Sequence, residues 1–199
     1  MAPQRKTFPR LFSTRTDALR LTGDAVFLRP PERGDYEDWA ALRARSRDFL
    51  TPWEPTWPPD ALGRASFRAS IARYSEDWRS DQGYNFFIFR PDETIVGGIG
   101  LSNIRRGVAE TASLGYWIGL PYARQRYMSA ALPLVLNFSF NRLRLHRVEA
   151  ACLPTNVPSR ALLLRTGFTE EGYARRYLLI DGKWQDHLLF AILREDWRG

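Results

Sequence analysis

The amino-acid sequence predicts an α/β domain, on three observations. Tyr84 to Leu101 reads as two strands around a turn. Leu114 to about Leu136 reads as a strand, a turn and a helix. Asp181-Gly182 separates two further apolar runs and is a strong hairpin signal. With the elements between them, the order is β-α-α-β-β-β-α-β-α-β-β. The chain has 199 residues, 44% hydrophobic and 26% charged, which suits one large domain with a sizeable core and argues against global disorder.

Residues 1–22 carry Arg5, Lys6, Arg10, Arg15 and Arg20 against the single acid Asp17 and show no apolar period, so they read as a basic tail. Residues 23–199 read as one folded domain. It begins with a short strand over Ala25 to Pro30, stopped by Pro30-Pro31. Gly34-Asp35 opens a helix with Tyr36, Trp39 and Leu42 on one face. A Pro/Trp-rich loop runs to Pro59. The spacing of Phe67, Ile71, Tyr74 and Trp78 then predicts a helix over about 61–80.

Tyr84 to Phe89 is apolar on both faces, as an interior strand is. Pro91-Asp92-Glu93 turns the chain into Thr94 to Leu101, and a third strand runs from about Glu110 to Ile118. Gly119-Leu120-Pro121 ends it. The helix that follows reaches about Asn141, with Met128, Leu132, Val135, Leu136 and Phe138 on its apolar side and Pro133 expected near its start. A strand at 146–152, a short helix capped by Gly167, and strands at about 168–180 and 184–193 complete the chain.

The formal net charge of +7 favours anionic partners. The lone Cys152, in an apolar run, excludes an intramolecular disulfide and a cysteine-based zinc site and reads as a buried structural thiol. No metal is expected. No run of about 18 apolar residues marks a membrane span, and a cytoplasmic location is the default expectation. The basic residues form no clear stripe and no RNA-stacking motif is present, so direct nucleic-acid binding is not expected.

The chemistry concentrates in the strand–turn–helix. Free N–H groups at a helix start, with the helix dipole behind them, bind phosphate oxygens. Here Leu114-Gly115-Tyr116-Trp117-Ile118 is followed by Ala123-Arg124-Gln125-Arg126-Tyr127-Met128. These segments resemble the strand and the R/Q-x-x-G-x-G/A turn of the GNAT N-acetyltransferases. Ser46 to Pro55, Asn156-Val157-Pro158-Ser159 and Gly167 to Gly172 look most like the RimJ-type ribosomal-protein-alanine acetyltransferase branch. The resemblance spans about residues 24–195 and implies a mixed, mostly antiparallel central sheet flanked by helices.

It also implies acetyl-CoA as donor, with no metal. The pyrophosphate would sit on the turn amides of Arg124, Gln125, Arg126, Tyr127, Met128 and Ser129. The pantetheine arm would pair with the strand edge at Tyr116, Trp117 and Ile118. Asn156 resembles the asparagine that contacts this arm, and helix capping is its structural alternative. Ser159 matches a serine proposed to return a proton to the CoA thiolate. Glu110 is the candidate base, provided a bulge turns it to the face of Ser113.

The departures are specific. Arg126 stands where the family has Gly, and Met128 where it has a small residue. If the turn needs positive φ, a side chain costs roughly 1–2 kcal/mol. Arg126 either fills the phosphate site, swings out, or clamps a phosphate itself. Many relatives carry Tyr at the position of Leu163 and Glu at that of Ser113. The expected activity is acetylation of a protein's N-terminal α-amine, on a ribosomal protein beginning with Ala or Ser, by a monomer or homodimer. Two alternatives stand beside it: a small-amine acetyltransferase, and a non-catalytic module whose CoA binding Arg126 has impaired.

Overall fold

The computed structural model describes residues 19–199. Most of the segment read as a tail, residues 1–18, lies outside the described residues. Its end does not read as tail: Leu21–Thr22 forms strand β1 against β2, Phe27–Arg29. Two residues are too few for a periodic signal.

Helices α1 (Tyr36–Arg45), α2 (Arg47–Leu50) and α3 (Arg64–Arg79) follow. Strands β3 (Tyr84–Phe89), β4 (Ile95–Arg105) and β5 (Thr111–Ile118) form the antiparallel meander. Helix α4 (Tyr127–Asn137) widens into a π turn over Phe138–Arg142. Strand β6 (Arg147–Cys152), helix α5 (Val157–Arg165) and the hairpin of β7 (Thr169–Ile180) and β8 (Lys183–Leu193) close the fold.

The eight strands of the described residues lie in one sheet, in the order β1-β2-β3-β4-β5-β6-β8-β7. Every pairing is antiparallel except β5 with β6. The strand alternation of β3 divides its side chains between two cores. Tyr84, Phe86 and Ile88 join the buried face of α4, formed by Met128, Leu132, Val135 and Leu136. Phe87 and Phe89 pack with Phe27, Leu42 and Phe67 beneath α1 and α3. An interior strand apolar on both faces is what this two-layer covering requires.

Pro133 is a correction. Because α4 begins at Tyr127, the proline stands in the middle of the helix and not in its first turn. There it cannot donate to the carbonyl four residues back, at Ser129. The fully buried neighbours Leu132, Val135 and Leu136 hold the helix in place despite the lost bond. The tight turns match their residues: Asp181 (φ 45°) and Gly182 (φ 72°) form the left-handed pair of a two-residue hairpin. Gly167, at φ 98°, ends α5.

Candidate functional site

The site begins where the sheet splits. Strand β5 pairs with β4 from Thr111 to Ile118 but with β6 only from Thr111 to Leu114. Beyond Leu114 the two parallel strands diverge. The backbone groups of Gly115 to Ile118 that point away from β4 therefore have no strand partner. An extended polar chain laid along that edge would find donors and acceptors in strand register.

A cavity of about 480 Å³ opens at this edge. Tyr116, Trp117 and Ile118 form one side, and Arg124, Arg126, Tyr127, Met128 and Ser129 another. Asn156 and Ser159 line it from α5. Nine of the ten residues that the resemblance assigns to cofactor binding are thus brought together. Gln125 is the one that is not: its Nε2 donates to the Pro121 carbonyl at 2.6 Å and braces the turn from outside. Phe49, Leu50 and Trp53, from the end of α2 and the loop after it, add an apolar wall that the sequence reading did not assign.

The turn takes up left-handed backbone at two arginines and without a glycine. Arg126, the N-cap of α4, has φ 66°, and Arg124 has φ 60°. Both are left-handed, a conformation that glycine adopts without strain. Both side chains are exposed and lie along the cavity rim instead of filling it.

At the inner end two hydroxyls meet. Tyr116 Oη and Ser159 Oγ are 2.7 Å apart. Burial pushes the Tyr116 phenol up to about 12, against a smaller opposing pull from the Ser159 hydrogen bond. The phenol therefore stays protonated. Asn156 caps α5: its Oδ1 accepts from Ser159 N–H at 3.1 Å. That leaves the Asn156 amide N–H groups free among the described residues and facing the same cavity. Capping and ligand contact use different atoms of one side chain. Cys152 lies below, 5% exposed, its thiol pushed up by burial.

A second cavity, of about 400 Å³, lies across the sheet edge beneath α1 and α3. Gly98, Gly100, Asn85, Tyr74 and Trp39 line it. Gly98 is required by close approach: a Cβ there would collide with the indole Nε1 of Trp117. Three residues line both cavities: Glu54, Tyr116 and Trp117. Glu54 is held by Arg43 through two hydrogen bonds of 2.6 and 2.7 Å and by Trp57 Nε1–H at 2.8 Å. The Arg43 guanidinium lies 4.2 Å from the Trp57 ring and 4.8 Å from that of Trp117. Asp181 N–H donates to the Glu54 carbonyl, so the β7–β8 hairpin clamps the loop.

Glu110 stands elsewhere. It leaves the strand with φ 44°, and its carboxylate accepts from Arg106 at 3.1 Å and from Gly107 N–H at 3.0 Å. It lines neither cavity. The expected irregularity exists, but on β4: two residues, Asn103 and Ile104, oppose one on β5 between Ser102 and Arg105. That bulge therefore does not turn Glu110 toward Ser113. His187 is 2% exposed, its Nδ1 3.0 Å from the Gln185 carbonyl, a structural contact.

Comparison with known proteins gives one consistent result. Residues 25–169 match the family model of the acetyltransferase (GNAT) domain. The chain is 36% identical over 180 residues to the [ribosomal protein uS5]-alanine N-acetyltransferase of Escherichia coli, covering 90% of this chain and 93% of that one. It is 34% identical over 177 residues to a probable N-acetyltransferase, YjcK, of Bacillus subtilis, covering 88% and 98%. The solved structure of Mycobacterium smegmatis RimJ in complex with CoA-disulfide superposes with a TM-score of 0.83 at 34% identity, covering 87% of this chain and 84% of that one.

Proposed function

The chain belongs to the GNAT acetyltransferases and is an acetyl-CoA-dependent N-acetyltransferase, and we propose that its acceptor is the N-terminal α-amine of a protein, a ribosomal protein beginning with Ala or Ser. The relative that acts on uS5 alanine supports this acceptor, and the bacterial cytoplasm is where such a substrate is made.

The observation that carries the reading is the meeting of two cavities at Glu54, Tyr116 and Trp117. Acetyl-CoA supplies a thioester along the open edge of β5, and the amine comes from the cavity on the other side. The chain's residues then do four things. The turn from Arg124 to Ser129 presents backbone N–H groups to phosphates. The unpaired edge from Gly115 to Ile118 holds the pantetheine amides. A strand N–H on that edge donates to the thioester carbonyl oxygen as charge builds on it. As the C–N bond forms and the C–S bond breaks, the Ser159 hydroxyl gives its proton to the departing sulfur, Tyr116 Oη stands 2.7 Å away to replace it, and the proton released by the attacking amine returns to the pair through water, so that the hydroxyls end as they began.

The chemistry of deprotonation selects the amine. The carboxylate at the meeting point, Glu54, already accepts three hydrogen bonds from Arg43 and Trp57. An α-amine with a pKa of about 7.7–8.0 is substantially neutral at physiological pH, whereas a lysine amine at about 10.4 is not. A site without a free base therefore favours the α-amine. Small first residues fit a cavity narrowed by the Trp117 indole lying on Gly98.

The test is acetylation of a peptide panel varying the first residue, alongside free amino acids and peptides with only a lysine amine. Faster turnover of peptides starting with Ala or Ser is expected. Preference for free small amines, or for lysine, would overturn the acceptor assignment.

A further inference from the structure

We infer that Arg124, Arg126 and Arg165 form a receptor for the 3′-phosphate of the coenzyme A nucleotide, so that this chain discriminates donors by that one phosphate. The inference rests on the acetyl-CoA reading above and deepens it at a place the pyrophosphate turn does not reach.

A third cavity, of about 720 Å³, lies beyond the turn. It shares Arg124, Arg126, Ser129, Leu162 and Arg165 with the donor cavity and therefore adjoins it. Three arginines and no acid line it. Their side chains are exposed, and none pairs with a carboxylate among the described residues. Other arginines are held by carboxylates: Arg29 pairs with Asp35, Arg43 with Glu54, Arg106 with Asp81, and Arg147 with Glu171. Three guanidinium groups left around one hollow repel one another unless an anion enters.

The anion's kind follows from geometry. The turn backbone is committed to a pyrophosphate, and the left-handed φ of Arg124 and Arg126 separates that backbone from the side chains it carries. A second, more highly charged group is what guanidinium forks recognise, and a phosphate monoester carries up to two charges and three acceptor oxygens. The far wall is the indole of Trp197, fixed by Nε1–H donating to Asn137 Oδ1 at 2.8 Å. An aromatic wall beside a basic hollow suits a purine with a phosphorylated ribose.

Titration calorimetry at low salt tests this with CoA, dephospho-CoA, 3′,5′-ADP and 5′-ADP on the full chain, and with Arg165→Ala and Arg126→Gly. CoA should bind about tenfold or more tightly than dephospho-CoA, a typical return for a charge-assisted phosphate contact. 3′,5′-ADP should exceed 5′-ADP in the same sense. Either variant should shrink the CoA to dephospho-CoA ratio several-fold, with thermal melts confirming that it is folded. Equal affinity of the parent for CoA and dephospho-CoA would overturn the receptor while leaving the donor intact. A ratio unchanged in both variants would overturn the role of the arginines. Failure of both ligands to bind the parent would overturn the donor reading itself, and this inference with it.

Discussion

The hydroxyl oxygens of Tyr116 and Ser159 stand 2.7 Å apart, one on the strand edge that splits from β6 and the other in the first turn of α5. Forty-three residues separate them in sequence. In the mechanism proposed above, this pair acts as a two-hydroxyl relay rather than a lone serine.

Ser159→Ala should therefore lower kcat by about 10²-fold, in the range typical of a positioned acid, with little change in the KM for acetyl-CoA. Tyr116→Phe should lower it about tenfold, because Ser159 keeps its own proton. A hydroxyl donates only below its pKa, and Tyr116 is pushed up to about 12. The pair should therefore contribute no falling limb between pH 6 and 9, and the rate should rise with pH as the acceptor amine loses its proton. Steady-state kinetics over that range checks both statements. An unaltered kcat in Ser159→Ala would remove the relay.

Glu110→Gln should leave turnover within about twofold of the parent, since its carboxylate serves the hairpin and lies in neither cavity. The loss should fall on stability, at about 1 kcal/mol or less for a part-exposed pair. The same cluster gives an acid limb. Burial works to raise Asp81, but hydrogen bonds from Arg106 and Tyr84 outweigh it and hold the carboxylate below its usual value. A depressed folded pKa means that this stabilisation is present above the unfolded value, about 3.9, and is lost as pH falls through the lower folded one. Asp81→Asn should flatten that part of the stability profile, read by urea unfolding across pH 2.5–6.

How much of this was legible in sequence differs by element. Tyr84 to Phe89, the Asp181-Gly182 turn and the Gly167 cap follow from local rules, and the structure keeps each of them. The residues gathered around the cavity at the β5 edge were legible only through a joint resemblance at separated places. What could not be read is what depends on pairing. The divergence of β5 from β6 after Leu114 has no local signal, and neither does the Tyr116–Ser159 contact that it creates. The bulge was anticipated but on the wrong strand, which is why Glu110 seemed able to reach the site. Pro133 was misplaced because the helix start depends on the left-handed Arg126, a conformation that sequence favours assigning to glycine.

Gly98→Val should separate acceptor from donor. Its side chain would displace the Trp117 indole, which lies where a Cβ would be, and so alter the wall between the two cavities. Overpacking of this kind costs about 1–3 kcal/mol. The KM for peptide should rise well beyond that for acetyl-CoA, and Gly98→Ala should show a smaller version of the same split. Equal changes in both constants would mean that Trp117 does not shape the acceptor path.

Breaking the Arg43–Glu54 pair should cost more than breaking a surface pair, because the two side chains are only 13% and 19% exposed. Glu54→Leu would strand a guanidinium between two indoles, with Nε already lacking a partner, and should destabilise by about 3 kcal/mol. Arg43→Leu with Glu54→Leu should recover part of that loss. Denaturant unfolding of the three variants forms the cycle, and additive losses would show that the pair acts as two independent residues.

Arg126→Gly should move stability and affinity in opposite directions. The left-handed conformation at φ 66° costs a non-glycine residue roughly 1–2 kcal/mol, while glycine gives back about 0.4–1 kcal/mol through a freer unfolded chain. The net gain of about 1 kcal/mol should raise Tm by about 2–4 °C for a domain of this size. The Arg126 side chain makes no hydrogen bond or ion pair among the described residues, and the bond its carbonyl accepts from Ala130 N–H is kept in glycine, so no lost contact offsets the gain. CoA affinity should nevertheless fall, since the variant removes one of the three cations around the distal cavity. An apo melting temperature that drops would mean that the side chain stabilises the turn. A rise in both melting temperature and CoA affinity would mean that Arg126 obstructs the phosphates. The expected pair of results, a firmer apo chain that holds CoA less well, identifies a strained residue kept for its charge.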